Sequence, residues 1–291
     1  MSKTDYSKVS IVIPAKNEAD SLIQLLPKIK QAVPEAEIIV INDGSEDNTR
    51  TVCKDAEVRI INNPYSKGNG ASIKSGARAS KNDLIVFMDA DGQHSPDDIP
   101  LLIDKLNQGY DMVVGARSTL GQANFGRATA NKIYNWFASW MVQHKIDDLT
   151  SGFRAVRSKK FKEFLSILPN GFSYPTTITM AFFRSGLSVG YVPIHAEKRL
   201  GKSHIRIAQD GVRFLLVIFK IGVLYSPMRV FFRTSMLFLV TAISYYLYTY
   251  TTMGRFTNMS AILFITSILI FLIGLISEQI TMLLYQKNSE K

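Results

Sequence analysis

From residue 9 to about residue 192, short apolar runs alternate with longer stretches of helical periodicity. The runs fall at 9–13, 38–41, 58–61, 84–88 and 112–114, rich in β-branched residues and short enough for buried strands. Between them, residues 18–33, 46–56, 70–80 and 96–108 predict helices. Such alternation predicts an α/β fold, a mainly parallel sheet covered by helices on both faces. Ligands of these sheets gather beyond the carboxyl ends of the strands. The first, second and fourth runs each lead into polar, loop-forming residues: Pro14-Ala15-Lys16-Asn17-Glu18, Asn42-Asp43-Gly44-Ser45 and Asp89-Ala90-Asp91-Gly92-Gln93. These three loops are expected to converge on one rim.

The pattern changes near residue 205. Residues 205–226 are apolar with Arg206, Arg213 and Lys220 interspersed, which predicts amphipathic helix lying along a bilayer surface or packed on the preceding domain. Two longer apolar stretches follow, 230–251 and 261–284. At about 1.5 Å per residue, each is long enough to cross a hydrocarbon layer of about 30 Å. Arg255 is the only charge in the connecting residues 252–260, whereas Lys220, Arg229, Arg233, Lys287 and Lys291 flank the opposite ends. By the positive-inside rule both termini are expected in the cytoplasm and the short loop outside. Arg233 and Glu278 fall near the cytoplasmic ends of their spans, where a long side chain reaches the headgroups. The expected organisation is a cytoplasmic domain over 1–204, juxtamembrane helix over 205–228, and two spans with a tail over 229–291.

Charge sharpens this picture. The 291 residues hold 34 Lys and Arg against 24 Asp and Glu, a formal net charge of +10 that suits nucleic acid, anionic lipid or phosphate-bearing substrates. The apolar spans favour the membrane, and no zinc-finger spacing, basic zipper or RNA-recognition signature is present, so nucleic acid is not expected as a partner. Cys53 is the only cysteine, which rules out an intrachain disulfide and suits a cytosolic domain. Residues 1–8 are polar and lead straight into a strand, so no secretory signal peptide is expected.

The chemistry centres on Asp89 and Asp91. Two carboxylates one residue apart, on a strand turning into a loop, can both reach one divalent ion, and hard oxygen ligands suit Mg2+ or Mn2+. Such an ion bridges a diphosphate and stabilises charge on a leaving nucleotide. Ser95-Pro96-Asp97-Asp98 is explained as a helix start. That cap does not account for acids immediately beyond a buried apolar run, where desolvation is costly without a counter-charge. Asp43 either accepts hydrogen bonds from a base or ribose or caps the next helix. Asn17 and Glu18 are placed to touch a nucleoside, although Glu18 also fits as a first-turn acid. Gly68-Asn69-Gly70 reads mainly as tight packing beside a nucleotide rather than a phosphate cradle.

The segments Val9-Ser10-Ile11-Val12-Ile13-Pro14-Ala15-Lys16-Asn17-Glu18, Asn42-Asp43-Gly44-Ser45, Asp89-Ala90-Asp91-Gly92-Gln93, Val114-Gly115-Ala116-Arg117 and Thr150-Ser151-Gly152-Phe153-Arg154 together resemble the family 2 glycosyltransferases. Within them the set is similar to the polyprenyl-phosphate branch, which includes dolichyl-phosphate mannose synthases and undecaprenyl-phosphate sugar transferases. Even the tail, with Gly274 four residues before Glu278, resembles the two-span members. The resemblance implies a GT-A fold, inversion at the anomeric carbon, a nucleotide-sugar donor, a polyprenyl phosphate acceptor, and a metal held by Asp89, Asp91 and Gln93. It implies a donor site drawn from Pro14, Ala15, Asn17, Glu18, Asp43, Asp89, Ala90, Asp91, Arg117, Arg199 and Lys202. For the acceptor phosphate it points to Arg127, Asn131, Ser151, Arg154, Lys198 and Ser203. Independently of family, a strand-end guanidinium such as Arg117 pairs with a diphosphate in bidentate fashion, or else forms a surface salt bridge.

Two departures matter. Relatives that use a sugar hydroxyl keep an acidic residue after the Thr-Ser-Gly-Phe-Arg element, but here Tyr174-Pro175-Thr176-Thr177-Ile178-Thr179 offers no general base. A hydroxyl acceptor needs one, whereas a phosphate monoester is already an ionised nucleophile at neutral pH, so a lipid-phosphate acceptor is favoured. In Lys198-Arg199-Leu200-Gly201-Lys202-Ser203-His204, His204 stands where relatives commonly carry Lys. That loop serves pyrophosphate or acceptor phosphate, or is simply a lipid-facing basic run. The competing expectations are a processive polysaccharide synthase, whose Gln-x-x-Arg-Trp element is missing, and a non-catalytic nucleotide-binding membrane scaffold. A homo-oligomer through the spans is a further expectation.

Overall fold

The computed structural model describes residues 5–117, 125–171, 173–195, 219, 222–223 and 227–289. The chain forms two compact units, Met1–Leu215 and Leu216–Lys291. The expected boundary at 205 and nearly all of the amphipathic segment 205–226 lie outside the described residues.

In the first unit the strands are β1 (Val9–Ala15), β2 (Glu37–Asn42), β3 (Arg59–Asn62), β4 (Leu84–Phe87), β5 (Met112–Arg117), β6 (Arg154–Arg157) and β7 (Val189–Ile194). The helices are α1 (Ala19–Ala32), α2 (Thr49–Asp55), α3 (Asn69–Ala79), α4 (Ile99–Asn107), α5 (Phe125–Val142), α6 (Ser158–Glu163) and α7 (Tyr174–Arg184). One sheet runs β3-β2-β1-β4-β6-β5-β7, and only β6 is antiparallel to its neighbours. The five predicted strands and the helices between them are present, with ends shifted by up to three residues.

The central strands are apolar on both faces because both are covered. Ile11, Ile13, Val40, Val86 and Val113 pack under α1 and α4 with Leu22, Leu26, Leu102 and Ile103. Val12, Ile39, Ile41, Phe87 and Val114 face the other way onto Ile73, Ile178 and Phe182 of α3 and α7. Parallel pairing sets the carboxyl ends of β1, β2 and β4 side by side, so their loops share a rim.

Cys53 belongs to the first of these cores, and burial pushes its thiol up to about 11. Its thiolate is therefore absent at neutral pH, and the thiolate is the reactive form. A disulfide reagent such as DTNB is expected to leave the folded protein unlabelled at pH 7.5 and to titrate the single thiol once denaturant is added. Prompt labelling of native protein at that site contradicts the buried placement.

The second unit is an antiparallel hairpin of α8 (Pro227–Met253) and α9 (Asn258–Ser289). Gly254, at φ +63, ends α8 in the left-handed conformation, its N–H returning to the Tyr250 carbonyl at 3.0 Å. Both predicted spans fall within these helices, which are long and apolar enough to cross a membrane. Large side chains such as Leu237, Ile276 and Leu283 point outward, the reverse of a soluble core helix. Between the helices Ser235 Oγ donates to the Ser267 carbonyl and Ser267 Oγ to the Ser235 carbonyl, each at 2.9 Å. Gly274 admits Phe231, whose Cβ lies 2.6 Å from where a Gly274 Cβ would stand. Four residues on, Glu278 Oε2 accepts the Met228 N–H at 3.4 Å in the first turn of α8, so this carboxylate serves helix–helix contact.

Candidate active site

At the rim, the loops after β1 and β2 interlock. Asn17, held at φ 55, donates its N–H to Ser45 Oγ at 2.9 Å and accepts the Glu46 N–H on Oδ1 at 2.9 Å. Ser21 Oγ donates to Glu18 Oε2 at 3.0 Å, and Glu18 is the N-cap residue of α1, one step before its first turn. Pro14 and Ala15 end β1 beside this latch, Pro14 half-buried and Ala15 buried.

Asp43 does not cap α2, whose N-cap is Asn48. Its Oδ1 accepts from Asn63 Nδ2 and the Lys67 N–H, both at 2.8 Å, and its Oδ2 from Ser66 Oγ and the Gly68 N–H, both at 2.9 Å. Burial alone raises its pKa, but these donors outweigh it and hold the carboxyl below its usual range. Asp43 thus shapes the loop at 63–68 with both oxygens engaged by protein donors. Gly68 and Gly70 pack tightly, as expected, but against the segment at 169–170: a Cβ at Gly68 would stand 2.5 Å from the Asn170 carbonyl oxygen and one at Gly70 2.2 Å from that of Pro169.

Beyond β4 the chain passes through Asp89 and Asp91 and turns at Gly92, which stands at φ +72. Asp91 is buried and accepts the Gln93 N–H at 3.1 Å, whereas the Asp89 side chain is 34% exposed. Ser95 caps the turn at Pro96–Asp98 through the Asp97 N–H, as the sequence predicts. Sequence reasoning missed His94. This side chain is buried, stacks on Phe153 at 5.0 Å between ring centroids, and sets Nε2 4.0 Å from Asp89 Oδ2. Burial pushes its pKa down to about 4, so the imidazole is neutral.

The antiparallel strand completes the site. Because β6 runs against β4 with Phe87 opposite Arg154, the residues entering β6 lie beside those leaving β4. Gly152 therefore sits against Asp89: a Cβ there would be 2.7 Å from Asp89 Oδ2. On the other side of β6 the end of β5 reaches the same rim. There Asp148, also missed in the sequence, takes Arg117 Nε at 2.8 Å, Nη2 at 3.0 Å and the Arg117 N–H at 3.3 Å. Arg117 Nη2 also donates to Thr150 Oγ1 at 2.6 Å. Burial opposes both charges, and the pair more than offsets it: the Asp148 carboxyl is held down and the Arg117 guanidinium up, with Asp89 and Asp91 adding to the latter.

Arg154 is a correction. As an acceptor-phosphate ligand it should face the rim, yet it is fully buried and donates to the Pro175 carbonyl and Thr179 Oγ1, both at 3.2 Å, and to the Ser151 carbonyl. Its Cζ lies 5.8 Å from the centre of the Tyr174 ring. Strand alternation accounts for this, since Phe153 faces one core and Arg154 the other. Ser151 is buried beside it, its Oγ without a protein partner. Arg127 and Asn131 lie on α5, but their side chains fall outside the described residues, as do Lys198, Arg199, Lys202, Ser203 and His204.

The donor set suits a divalent ion shared with a substrate. Asp89 offers a partly exposed carboxylate in a seat that only glycine at 152 leaves open, with Asp91 beside it and Gln93 next along the turn. Among the described residues no group of three His, Cys, Asp or Glu side chains gathers to enclose a metal by itself. One or two carboxylates completed by phosphate oxygens and water is the usual Mg2+ arrangement.

Comparison with known proteins gives this rim a family. Residues 10–165 match the family described as Glycosyl transferase family 2, and residues 226–283 match the GtrB C-terminal hairpin. An undecaprenyl-phosphate mannosyltransferase of Micrococcus luteus is 29% identical over 67% of this chain and 86% of its own length. A polyprenol monophosphomannose synthase of Mycolicibacterium smegmatis is 27% identical over 70% of this chain and 86% of its own. Glucosyl-3-phosphoglycerate synthase of Mycobacterium tuberculosis, solved with Mn2+ and UDP, superposes with a TM-score of 0.61 at 18% identity, covering 74% of this chain and 80% of that one. That likeness shows the fold, a mainly parallel mixed sheet of GT-A type. The chain belongs to glycosyl transferase family 2, a glycosyltransferase with a GT-A catalytic domain and a C-terminal hairpin of two long apolar helices.

Proposed function

We propose that the protein transfers a sugar, with inversion, from a nucleotide diphosphate to a polyprenyl phosphate at a membrane surface. The observation that carries this reading is the meeting, on one rim, of a carboxylate pair suited to Mg2+ or Mn2+ with the Arg117 guanidinium, in a chain that also has an apolar hairpin. Two relatives, from Micrococcus luteus and Mycolicibacterium smegmatis, are named for transfer to polyprenyl phosphates or polyprenols.

In this reading Asp89 and Asp91, with Gln93, hold the ion, which when bound neutralises charge on the donor diphosphate. Asp148 occupies Nε and Nη2 of Arg117, so its Nη1 is the donor directed to a diphosphate oxygen. Pro14, Ala15, Asn17 and Glu18 form the wall for the nucleoside, and Asp43 supports it from behind through the loop at 63–68. The acceptor phosphate attacks the anomeric carbon from the face opposite the nucleotide and needs no base, in keeping with an α7 that carries no carboxylate. On α5, Ile133 and Trp136 are more than half exposed and Phe137 stacks on Trp140 at 5.7 Å. Such an aromatic face suits the headgroup layer. The hairpin then spans the bilayer with both termini cytoplasmic and adds proximity to the lipid substrate. The expected homo-oligomer gains no support from the described residues or the relatives.

The test is transfer of radiolabel from a panel of nucleotide sugars into a lipid extract of membranes supplemented with polyprenyl phosphate. A labelled, acid-labile lipid product that disappears with EDTA is the expected result. Polymer would establish the processive alternative, and no product with any donor would leave the nucleotide-binding scaffold.

A further inference from the structure

We infer that Asp148 is a positioning residue, whose buried carboxylate aims Arg117 at the donor diphosphate. The inference rests on the reading of Arg117 given above. Asp148 is 5% exposed and accepts from three groups of Arg117, its N–H, Nε and Nη2, as well as from the Thr150 and Ser151 N–H groups and Thr150 Oγ1. A surface ion pair contributes little and wanders, but a buried bidentate one fixes the plane of the guanidinium. Here the plane is fixed at both edges, since Thr150 Oγ1 takes the second Nη2 hydrogen. Of the five guanidinium hydrogens, those on Nη1 have no partner among the described residues and are the ones offered to an anion. Asp148 and Arg117 are 31 residues apart, joined where β5 ends and the chain turns toward the antiparallel strand.

The two carboxylate oxygens divide the work, which makes the idea separable from a merely structural one. Oδ1 holds the turn at Thr150 and Ser151 and shares Nη2, whereas among the described residues Oδ2 accepts only from Arg117. Asp148→Asn retains an oxygen for the turn but faces Arg117 with an amide N–H2, a donor against donors. The seat of Asp89 at Gly152 is then kept while Arg117 is released.

The experiment measures Mn2+ binding by electron paramagnetic resonance and Mn2+-pyrophosphate binding by calorimetry on the full chain in detergent. The proteins are wild type, Asp148→Asn, Arg117→Ala and the double variant. Asp148→Asn is expected to bind Mn2+ alone as wild type does and to weaken pyrophosphate about tenfold to a hundredfold, the range typical of lost outer-shell support. The double variant is expected to match Arg117→Ala within about twofold, because a residue acting through Arg117 has nothing left to act on. Multiplicative losses in the double variant, wild-type pyrophosphate affinity in Asp148→Asn, or an equal loss of Mn2+ affinity each overturn the inference. Wild-type pyrophosphate affinity in Arg117→Ala overturns it together with the diphosphate role of Arg117. Failure of lipid transfer alone would instead remove the acceptor reading and leave this cycle intact.

Discussion

Asp89→Asn is expected to lower the rate of sugar transfer by about a hundredfold to a thousandfold, the range seen when one pre-organised charge-stabilising group is removed. The substitution preserves volume, so the fold is unaffected and the loss reports chemistry. Asp89 is the sharper choice of the pair, because Asp91 is buried and also accepts the Gln93 N–H, whereas Asp89 presents its carboxylate at the rim. The rates of wild type and variant, each with Mn2+ and after chelation, decide the matter. Chelation should bring wild type down to the variant's level and leave the variant nearly unchanged. A variant that keeps full, chelator-sensitive activity would show that the ion is held elsewhere.

Gly152→Ala is expected to weaken Mn2+ binding by about tenfold to a hundredfold without lowering the melting midpoint appreciably. A methyl at this position would stand 2.7 Å from Oδ2 and 3.2 Å from Oδ1 of Asp89. The backbone cannot retreat, because Phe153 is in the core and Arg154 is pinned by its carbonyl partners. The carboxylate must therefore rotate away from its seat. No left-handed conformation is required at this glycine, so alanine brings no backbone penalty of its own. Titration of Mn2+ by electron paramagnetic resonance, beside a thermal melt, separates the two effects. Unchanged affinity would mean that Asp89 does not hold the ion in the orientation described.

Much of this was legible from the chain itself, for identifiable reasons. Strands β1, β2 and β4 are buried on both faces, so their apolar runs stand out, and the polar residues that follow them mark the rim. Strand β6 reads Arg154-Ala155-Val156-Arg157, too short and too charged to announce itself, although it is the element that brings Gly152 to Asp89. The burial of Arg154 was hidden by its charge. The signal that would have revealed it is the alternation after Gly152, which sends Phe153 and Ala155 one way and Arg154 and Val156 the other. Asp43 was expected as a nucleoside contact or a helix cap, whereas its four donors come from residues 63–68, and no spacing rule links them to it. His94 and Asp148 act across folds of the chain, toward Phe153 and Arg117, and sequence neighbours say nothing of such meetings.

The reciprocal serine bonds of the hairpin limit what its outer surface can recognise. Ser235 and Ser267 each give their hydroxyl hydrogen to the other's backbone, so neither hydrogen remains for a third helix. Sliding one helix along the other by a turn would break both bonds, so they act as a register pin. In the proposed bilayer setting, a companion helix would meet the contour of the outward Leu and Ile side chains rather than these two serines.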